Sequence, residues 1–129
     1  MDTLLLEFER GRMYFEAKDY IGAARVLAEV VEAAPEQTGA RLLLARAYYH
    51  SAQLRRAEAE LRRVLERDPA DTYACLLLGR TLQRQNRHRE AQPYLRMHAA
   101  MTGAPESYGS SGSSGASGSS GASGDAAPA

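Results

Sequence analysis

The sequence has one cysteine, one lysine and no long apolar run, and each shortage narrows the class of protein. Cys75 cannot form a disulfide within the chain, and its apolar neighbours in TYACLLLG predict a buried packing role. No apolar stretch approaches the length of a membrane-spanning helix. The N-terminal segment MDTLLLEFER carries acids where a secretory signal peptide needs positive charge. These features predict a cytoplasmic protein that does not enter the membrane.

The sequence also lacks the residue groupings on which catalytic and metal sites depend. His50, His88 and His98 do not stand at ligand spacing from one another or from Cys75. No glycine-rich phosphate-binding loop precedes a helix. The sequence therefore predicts a protein that is not an enzyme and binds neither a metal nor a cofactor.

A 34-residue interval recurs along the chain. The stretch LLLARAYY at 42–49 returns as LLLGRTLQ at 76–83, and each interval contains two segments of helical period separated by a polar break. Each unit is therefore predicted to be a helical hairpin, whose small residues let the paired helices approach closely. The positions that recur are Gly11, Ala45 and Gly79; Ala23, Ala57 and Ala91; Leu27, Leu61 and Leu95; and Pro35 and Pro69.

This pattern resembles the tetratricopeptide repeat family, which places a small residue, an aromatic, an alanine, a large apolar residue and a proline at these spacings. The resemblance covers three repeats, 4–37, 38–71 and 72–105. It implies an all-α domain over 1–105, in which three tetratricopeptide-type helical hairpins form a short right-handed α-solenoid. Arg41 departs from the pattern at a position that often holds tryptophan. Pro93 falls inside the last helix and is predicted to kink it.

Residues 106–129 have a different composition from the repeats. They consist mainly of serine, glycine and alanine, with glycine at every third position from Gly109 to Gly124. Such residues cannot bury enough apolar surface to offset the entropy lost on ordering. This segment is predicted to be a disordered tail.

The family resemblance implies a function as a small adaptor that binds a peptide or protein segment. Solenoids of this kind present a concave groove lined by the first helix of each repeat. The positions that face the groove in the family hold Phe8, Arg12, Phe15, Leu42, Arg46, Tyr49, His50, Tyr73, Leu76, Arg80 and Arg84.

One arginine per repeat lies among these positions: Arg12, Arg46 and Arg80. Arg12 can pair within its helix to Glu9 or Glu16, whereas the other two have no acid three or four residues away. Two interpretations are open. Duplication could have copied a good helix former on a solvated face, or the arginines could collect the carboxylates of an acidic segment held by the neighbouring aromatic residues. Arg62 and Arg63, on a second helix, are expected to face outward and away from the groove.

Two other functions remain as alternatives. No sequence able to form a polar capping helix follows the third repeat, so Tyr94, Met97 and Met101 are predicted to be partly exposed and to form a dimerisation face. The charge also rises along the chain, from 4 basic and 7 acidic residues in the first repeat to 5 and 1 in the third. This gradient is compatible with a nucleic-acid-binding accessory protein. The net charge of zero and the shortness of the basic segment RQNRHRE argue against nucleic acid.

Overall fold

The computed structural model describes residues 2–103, and this part of the chain contains six α-helices and no β-strand. Successive helices pair into three hairpins, which confirms the all-α fold of tetratricopeptide type. The limits of the whole domain at 1–105 stay a prediction, and the tail that begins at residue 106 lies outside the described residues. The helices are α1 (Asp2–Glu16), α2 (Tyr20–Ala33), α3 (Thr38–His50), α4 (Leu54–Arg67), α5 (Thr72–Arg84) and α6 (His88–Thr102).

The chain divides into two compact units between Tyr94 and Leu95. In the first unit each helix from α1 to α4 packs against the next, and α3 also contacts both α1 and α5. The first helices of the three repeats therefore lie side by side. In the second unit the described residues, 95–103, form the C-terminal part of α6 and the residue that follows it.

Helix α6 contains the proline that the sequence predicts to bend it. The helix runs from His88 to Thr102 with Pro93 inside it, and the kink stays a prediction. The expected exposure of Met97 and Met101 is confirmed, and Tyr94 is half-buried. Dimerisation through these residues also stays a prediction.

The turn inside each hairpin contains one residue in the left-handed conformation: Lys18 (φ 66°), Ala52 (φ 63°) and Asn86 (φ 64°). In the second hairpin the N–H of Gln53 donates to the carbonyl of Tyr48 at 2.8 Å, and the equivalent bond closes the other two turns. This bond spans five residues and satisfies a carbonyl at the end of the helix. The 34-residue period thus extends to the backbone, although only asparagine among the three residue types adopts positive φ readily.

Replacing Ala52 with glycine is expected to raise the free energy of unfolding by about 0.5–1 kcal/mol, because glycine has no Cβ to oppose positive φ. The matched control is Ala59→Gly, at an exposed position in the middle of α4. That change should lower stability by about 0.5–1 kcal/mol. Urea denaturation measures both. Equal destabilisation by the two changes would contradict the role assigned to Ala52.

Small residues lie where paired helices approach each other. A Cβ added to Gly11 would lie 2.7 Å from Cγ and 2.8 Å from Cδ2 of Leu27, so α1 and α2 could not keep their separation with a larger residue there. Ala23, Ala57 and Ala91, which share one repeat position, are completely buried. The structure therefore confirms that these alanines are core residues.

The change Ala57→Leu is expected to destabilise the protein by about 1–3 kcal/mol, because overpacking forces neighbouring side chains or the backbone to move. Leu61 and Val64, on the same helix, are also fully buried and leave little room for adjustment. Ala59→Leu, two residues along at an exposed position, should change stability by less than about 0.5 kcal/mol. An unchanged denaturation midpoint for Ala57→Leu would refute the assigned packing.

Arg41, at a position that often holds tryptophan in the family, forms a buried ion pair between α3 and α4. Its side chain is 8% exposed, and Nη1 lies 2.7 Å from Oε1 of Glu60. Nη2 also donates to the carbonyl of Pro35 at 3.1 Å. The departure from the family pattern is therefore compensated by a charged contact that joins the two helices of the second repeat.

Glu58 joins α4 to the turn between α5 and α6. It accepts hydrogen bonds from Arg87 at 2.7 Å, Gln85 at 3.1 Å and Arg62 at 3.0 Å. Burial alone would raise the pKa of Glu58, but these hydrogen bonds outweigh it and leave the pKa lowered. The resulting stability is present above the ordinary carboxyl pKa and is lost as pH falls through the lowered value. Arg62 also donates to the hydroxyl of Tyr94 at 2.9 Å and its side chain is 40% exposed, so its orientation away from the groove stays a prediction.

Candidate functional site

Seven residues form a connected group that we call the aromatic–arginine cluster. Six of them were predicted to face the groove and come from α1, α3 and α5, while the seventh, Tyr20, begins α2. Each touches at least one other member through a ring contact or a cation–π contact. The members are Phe15, Tyr20, Arg46, Tyr49, His50, Tyr73 and Arg84.

Arg46 lies at the centre of the cluster. Its Cζ is 4.7 Å from the ring centroid of Phe15 on α1 and 5.7 Å from that of Tyr73 on α5. The Nε atom is buried and has no hydrogen-bond partner within residues 2–103. A buried donor without a partner is unfavourable and uncommon in folded proteins. Two aromatic rings therefore hold the guanidinium of Arg46, while its Nε donor is unsatisfied.

The second part of the cluster surrounds His50. Its ring stacks on that of Tyr20 with centroids 4.7 Å apart. It also makes an edge-to-face contact with the ring of Tyr49, with centroids 5.6 Å apart. Arg84 places its Cζ 4.7 Å from the ring centroid of Tyr49 and donates to the carbonyl of that residue at 3.0 Å. Burial, followed by the positive charges of Arg46 and Arg84, lowers the pKa of His50. The positive charges of Arg46 and Arg84 thus lie close together beside His50.

The pKa of His50 is expected to lie below 6.5 in the folded protein and to rise in Arg46→Met, because one of the opposing positive charges is removed. Any stability linked to this group is present above the unfolded pKa and declines as pH falls below it, since the unfolded chain then binds more protons. An NMR titration of the ring protons measures the shift. Arg25→Met, at an exposed position on α2, is the control, and equal titration curves for the two variants would contradict the prediction.

The three repeated arginines have different surroundings. Arg12 is exposed and pairs with Glu9 at 2.9 Å and Glu16 at 3.2 Å on its own helix. The hydrogen bond and charge of Glu9, with a further contribution from Glu16, raise the pKa of Arg12. Arg46 is enclosed by aromatic rings, and Arg80 is exposed on α5. The three arginines therefore differ in what surrounds them, and the pairing predicted for Arg12 is present.

The remaining predicted groove residues are apolar. Phe8, Leu42 and Leu76 are half-buried. Phe8 packs against the main core cluster, so its primary contribution is to packing between helices. None of the three takes part in the ring and cation–π contacts that define the aromatic–arginine cluster.

Tyr20 is the cluster member that sequence reasoning missed. The family pattern directs attention to the first helix of each repeat, whereas Tyr20 is the first residue of a second helix. Its ring lies 5.2 Å from that of Phe15 across the turn of the first hairpin. Two aromatic residues on either side of a tight hairpin turn were the signal that could have identified it.

The same part of the chain was predicted to hold neither a metal site nor a membrane-spanning helix. Across residues 2–103, no three His, Cys, Asp or Glu side chains lie close enough together to hold a metal ion. No helix in that range is long and apolar enough to cross a membrane. Cys75 is fully buried, and burial followed by the charges of Asp71 and Asp68 raises the pKa of its thiol. A thiol in such surroundings is a packing group.

Comparison with known proteins identifies the repeat. Residues 14–74 match the family model described as tetratricopeptide repeat. These residues carry tetratricopeptide repeats. No curated protein matches the sequence. Tetratricopeptide domains serve in general as protein-interaction modules, which agrees with the class of function that the groove suggests.

Solved structures share the tetratricopeptide fold of this chain. A MamA point mutant superposes with a TM-score of 0.75 at 21% identity, over 78% of this chain and 74% of that one. MamA from Desulfovibrio magneticus RS-1 superposes with a TM-score of 0.73 at 25% identity. The match covers 81% of this chain but only 59% of that one. The first tetratricopeptide domain of Spaghetti (RPAP3), bound to the HSP90 peptide SRMEEVD, superposes with a TM-score of 0.71 at 19% identity. The match covers 76% of this chain and 78% of that one.

Proposed function

We propose that this tetratricopeptide repeat protein is an adaptor that binds an acidic segment of a protein partner along α1, α3 and α5. The observation that carries the proposal is the position of Arg46 between Phe15 and Tyr73, with its buried Nε lacking a partner in the described residues. On the sequence evidence, the adaptor is assigned to the cytoplasm.

The geometry of Arg46 favours a planar, negatively charged ligand group. The rings of Phe15 and Tyr73 lie near its guanidinium, and a guanidinium presents its N–H donors in one plane. A carboxylate accepts two such donors at once, which makes the pair shorter and stronger than a neutral hydrogen bond.

The neighbours of Arg46 suit a peptide more than a small anion. Tyr73 is 40% exposed, and Tyr49, Leu42 and Leu76 are half-buried along the same helices. Aromatic and aliphatic side chains of this kind anchor the apolar residues of a bound segment. Arg84 supplies a second positive charge beside Tyr49. We therefore infer a segment that combines acidic and apolar residues.

The pairing of Arg12 restricts where acidic residues would bind. Its charge is already opposed by Glu9 and Glu16. An incoming carboxylate would have to displace one of these acids. The first repeat should therefore bind an acidic residue more weakly than the second. Recognition of acidic residues is accordingly assigned to Arg46 and Arg84.

A structural neighbour that is bound to an acidic peptide supports the proposal. The first tetratricopeptide domain of Spaghetti (RPAP3) is bound to SRMEEVD, a peptide with three acidic residues. At 19% identity this likeness concerns the fold alone. It supports an acidic segment as a ligand for this fold, while the choice of residues rests on the contacts of Arg46.

A display selection with random heptapeptides tests the proposal. The full chain is immobilised, and the peptides it retains are sequenced beside those retained by Arg46→Met and by Arg25→Met. The wild-type protein and the Arg25→Met control should enrich peptides with Asp or Glu next to apolar residues. Arg46→Met should lose the enrichment in acids. Enrichment that is absent from wild type, or that persists in Arg46→Met, would refute the proposed function.

A further inference from the structure

The outer face of α1 exposes two apolar side chains at repeat positions that are buried elsewhere. Leu6 is 67% exposed and Met13 is 68% exposed. In the second and third repeats the corresponding side chains are almost completely inaccessible. These are Ala40 at 4% and Ala47 at 0%, and Ala74 and Thr81 at 0% each.

The repeat explains the difference. In the later repeats the first helix packs against the helix that precedes it, α3 against α2 and α5 against α4. Leu6 and Met13 lie seven residues apart, which is two helical turns and about 10 Å along one side of α1. No helix in the described part of the chain covers that side.

The centre of this face does not resemble the later repeats. Between Leu6 and Met13 lie Glu9 and Arg10, with side chains 45% and 56% exposed. The corresponding residues of the later repeats are leucines: Leu43 and Leu44, and Leu77 and Leu78. An apolar helix docked here, as in the later repeats, would take two charged side chains out of water and offer them no partner of its own, which is costly.

We propose that this face binds a second copy of the chain, with the two α1 helices antiparallel about a two-fold axis that passes between Glu9 and Arg10. In that arrangement Leu6 packs against Met13 of the second copy. Glu9 meets Arg10 of the second copy, and the symmetry repeats both contacts. The pattern of apolar, acidic, basic and apolar residues is thus complementary to itself, as an isologous interface requires.

The contact is small and its charges already have partners. Arg10 pairs with Glu7 at 2.8 Å, and Glu9 pairs with Arg12 at 2.9 Å, within the helix. Exposed pairs of this kind contribute little, so they can exchange partners readily. A contact between two 15-residue helices is short for a stable interface, and we expect a dimer that dissociates on dilution.

The dimer would leave the groove accessible. Phe15 lies nine residues after Leu6, which places it half a turn away on the opposite side of α1. The aromatic–arginine cluster therefore faces away from the proposed interface. Each dimer would present two grooves, and a partner with two acidic segments would bind it more tightly than a partner with one.

Charge reversal on the full chain tests the arrangement by analytical ultracentrifugation at low salt, from about 10 to 500 µM. The wild-type protein should show a dimer fraction that grows with concentration. Glu9→Arg places only arginines at the centre of the interface and Arg10→Glu places only glutamates there, so each variant alone should dimerise at least about tenfold more weakly. An equimolar mixture of the two should form a heterodimer, because both charged contacts at the centre are then between opposite charges.

Circular dichroism and thermal melting establish whether each variant folds. If either reversal unfolds the chain, Leu6→Ser with Met13→Ser is used instead and should also be monomeric. The proposal is overturned by a monomeric wild type over the whole range. It is equally overturned by a dimer that survives both reversals, or by failure of the mixed variants to associate. Arg46→Met should leave the dimer intact, which separates this result from the test of the groove.

Discussion

Replacing Arg41 with methionine is expected to lower the free energy of unfolding by about 2–3 kcal/mol. Methionine keeps most of the side-chain volume, so the change mainly removes the charge and its hydrogen bonds. Glu60, with a side chain 21% exposed, would lose the donor at 2.7 Å and remain as a largely buried carboxylate. Because the Glu60 carboxylate keeps some contact with water, the loss of stability should be smaller than for a fully buried charge. Urea denaturation at constant m-value measures the difference.

A double variant separates the charge from the packing. Arg41→Met with Glu60→Met removes both charges and replaces them with flexible apolar side chains. Because no carboxylate is then left without a partner, the double variant should be at least about 1 kcal/mol more stable than Arg41→Met alone. A double variant less stable than the single one would indicate that the shape of the site, rather than its charge, governs stability.

The sequence contained enough information to predict the architecture, because the architecture depends on repeated apolar spacing. The alignment of Gly11 with Ala45 and of Ala23 with Ala57 identified the positions where helices approach closely, and the structure buries all four. The conformation of the turns was less accessible. Ala52 has positive φ because two hydrogen bonds at the end of α3 require it, from its own N–H to the carbonyl of Tyr49 and from Gln53 N–H to the carbonyl of Tyr48. Alanine itself does not favour that conformation.

The surroundings of the groove residues depended on contacts that sequence spacing does not reveal. The pairing of Arg12 was visible because its acids lie three and four residues away on the same helix. The rings that hold Arg46 belong to Phe15 and Tyr73, roughly 30 residues away in either direction. Their approach is set by the packing of α3 between α1 and α5. The hydrogen bond from Arg62 to Tyr94 could not be predicted for the same reason, since Tyr94 is on a different helix.

Arg46→Met is expected to weaken binding of an acidic peptide from the display selection by about 10- to 100-fold, which corresponds to roughly 1.5–3 kcal/mol. The loss follows from removing a charge-assisted contact in a setting where Phe15 and Tyr73 hold the guanidinium in place. Folding should change by at most about 1 kcal/mol, since methionine still packs between the rings. Fluorescence anisotropy with the labelled peptide measures affinity, and denaturation measures stability.

Three comparisons distinguish recognition by Arg46 from general attraction to positive charge. Arg25→Met removes an equal charge from an exposed position on α2 and should leave the affinity nearly unchanged. Arg46→Lys keeps the charge but not the planar set of donors, so it should restore only a small part of the binding. Added salt should weaken wild-type binding more than binding by Arg46→Met. Salt screens the contact between Arg46 and the peptide carboxylate, and the variant lacks that contact. If Arg46→Lys binds as tightly as wild type, the proposed planar contact with a carboxylate is refuted, and Arg46 acts through its charge alone.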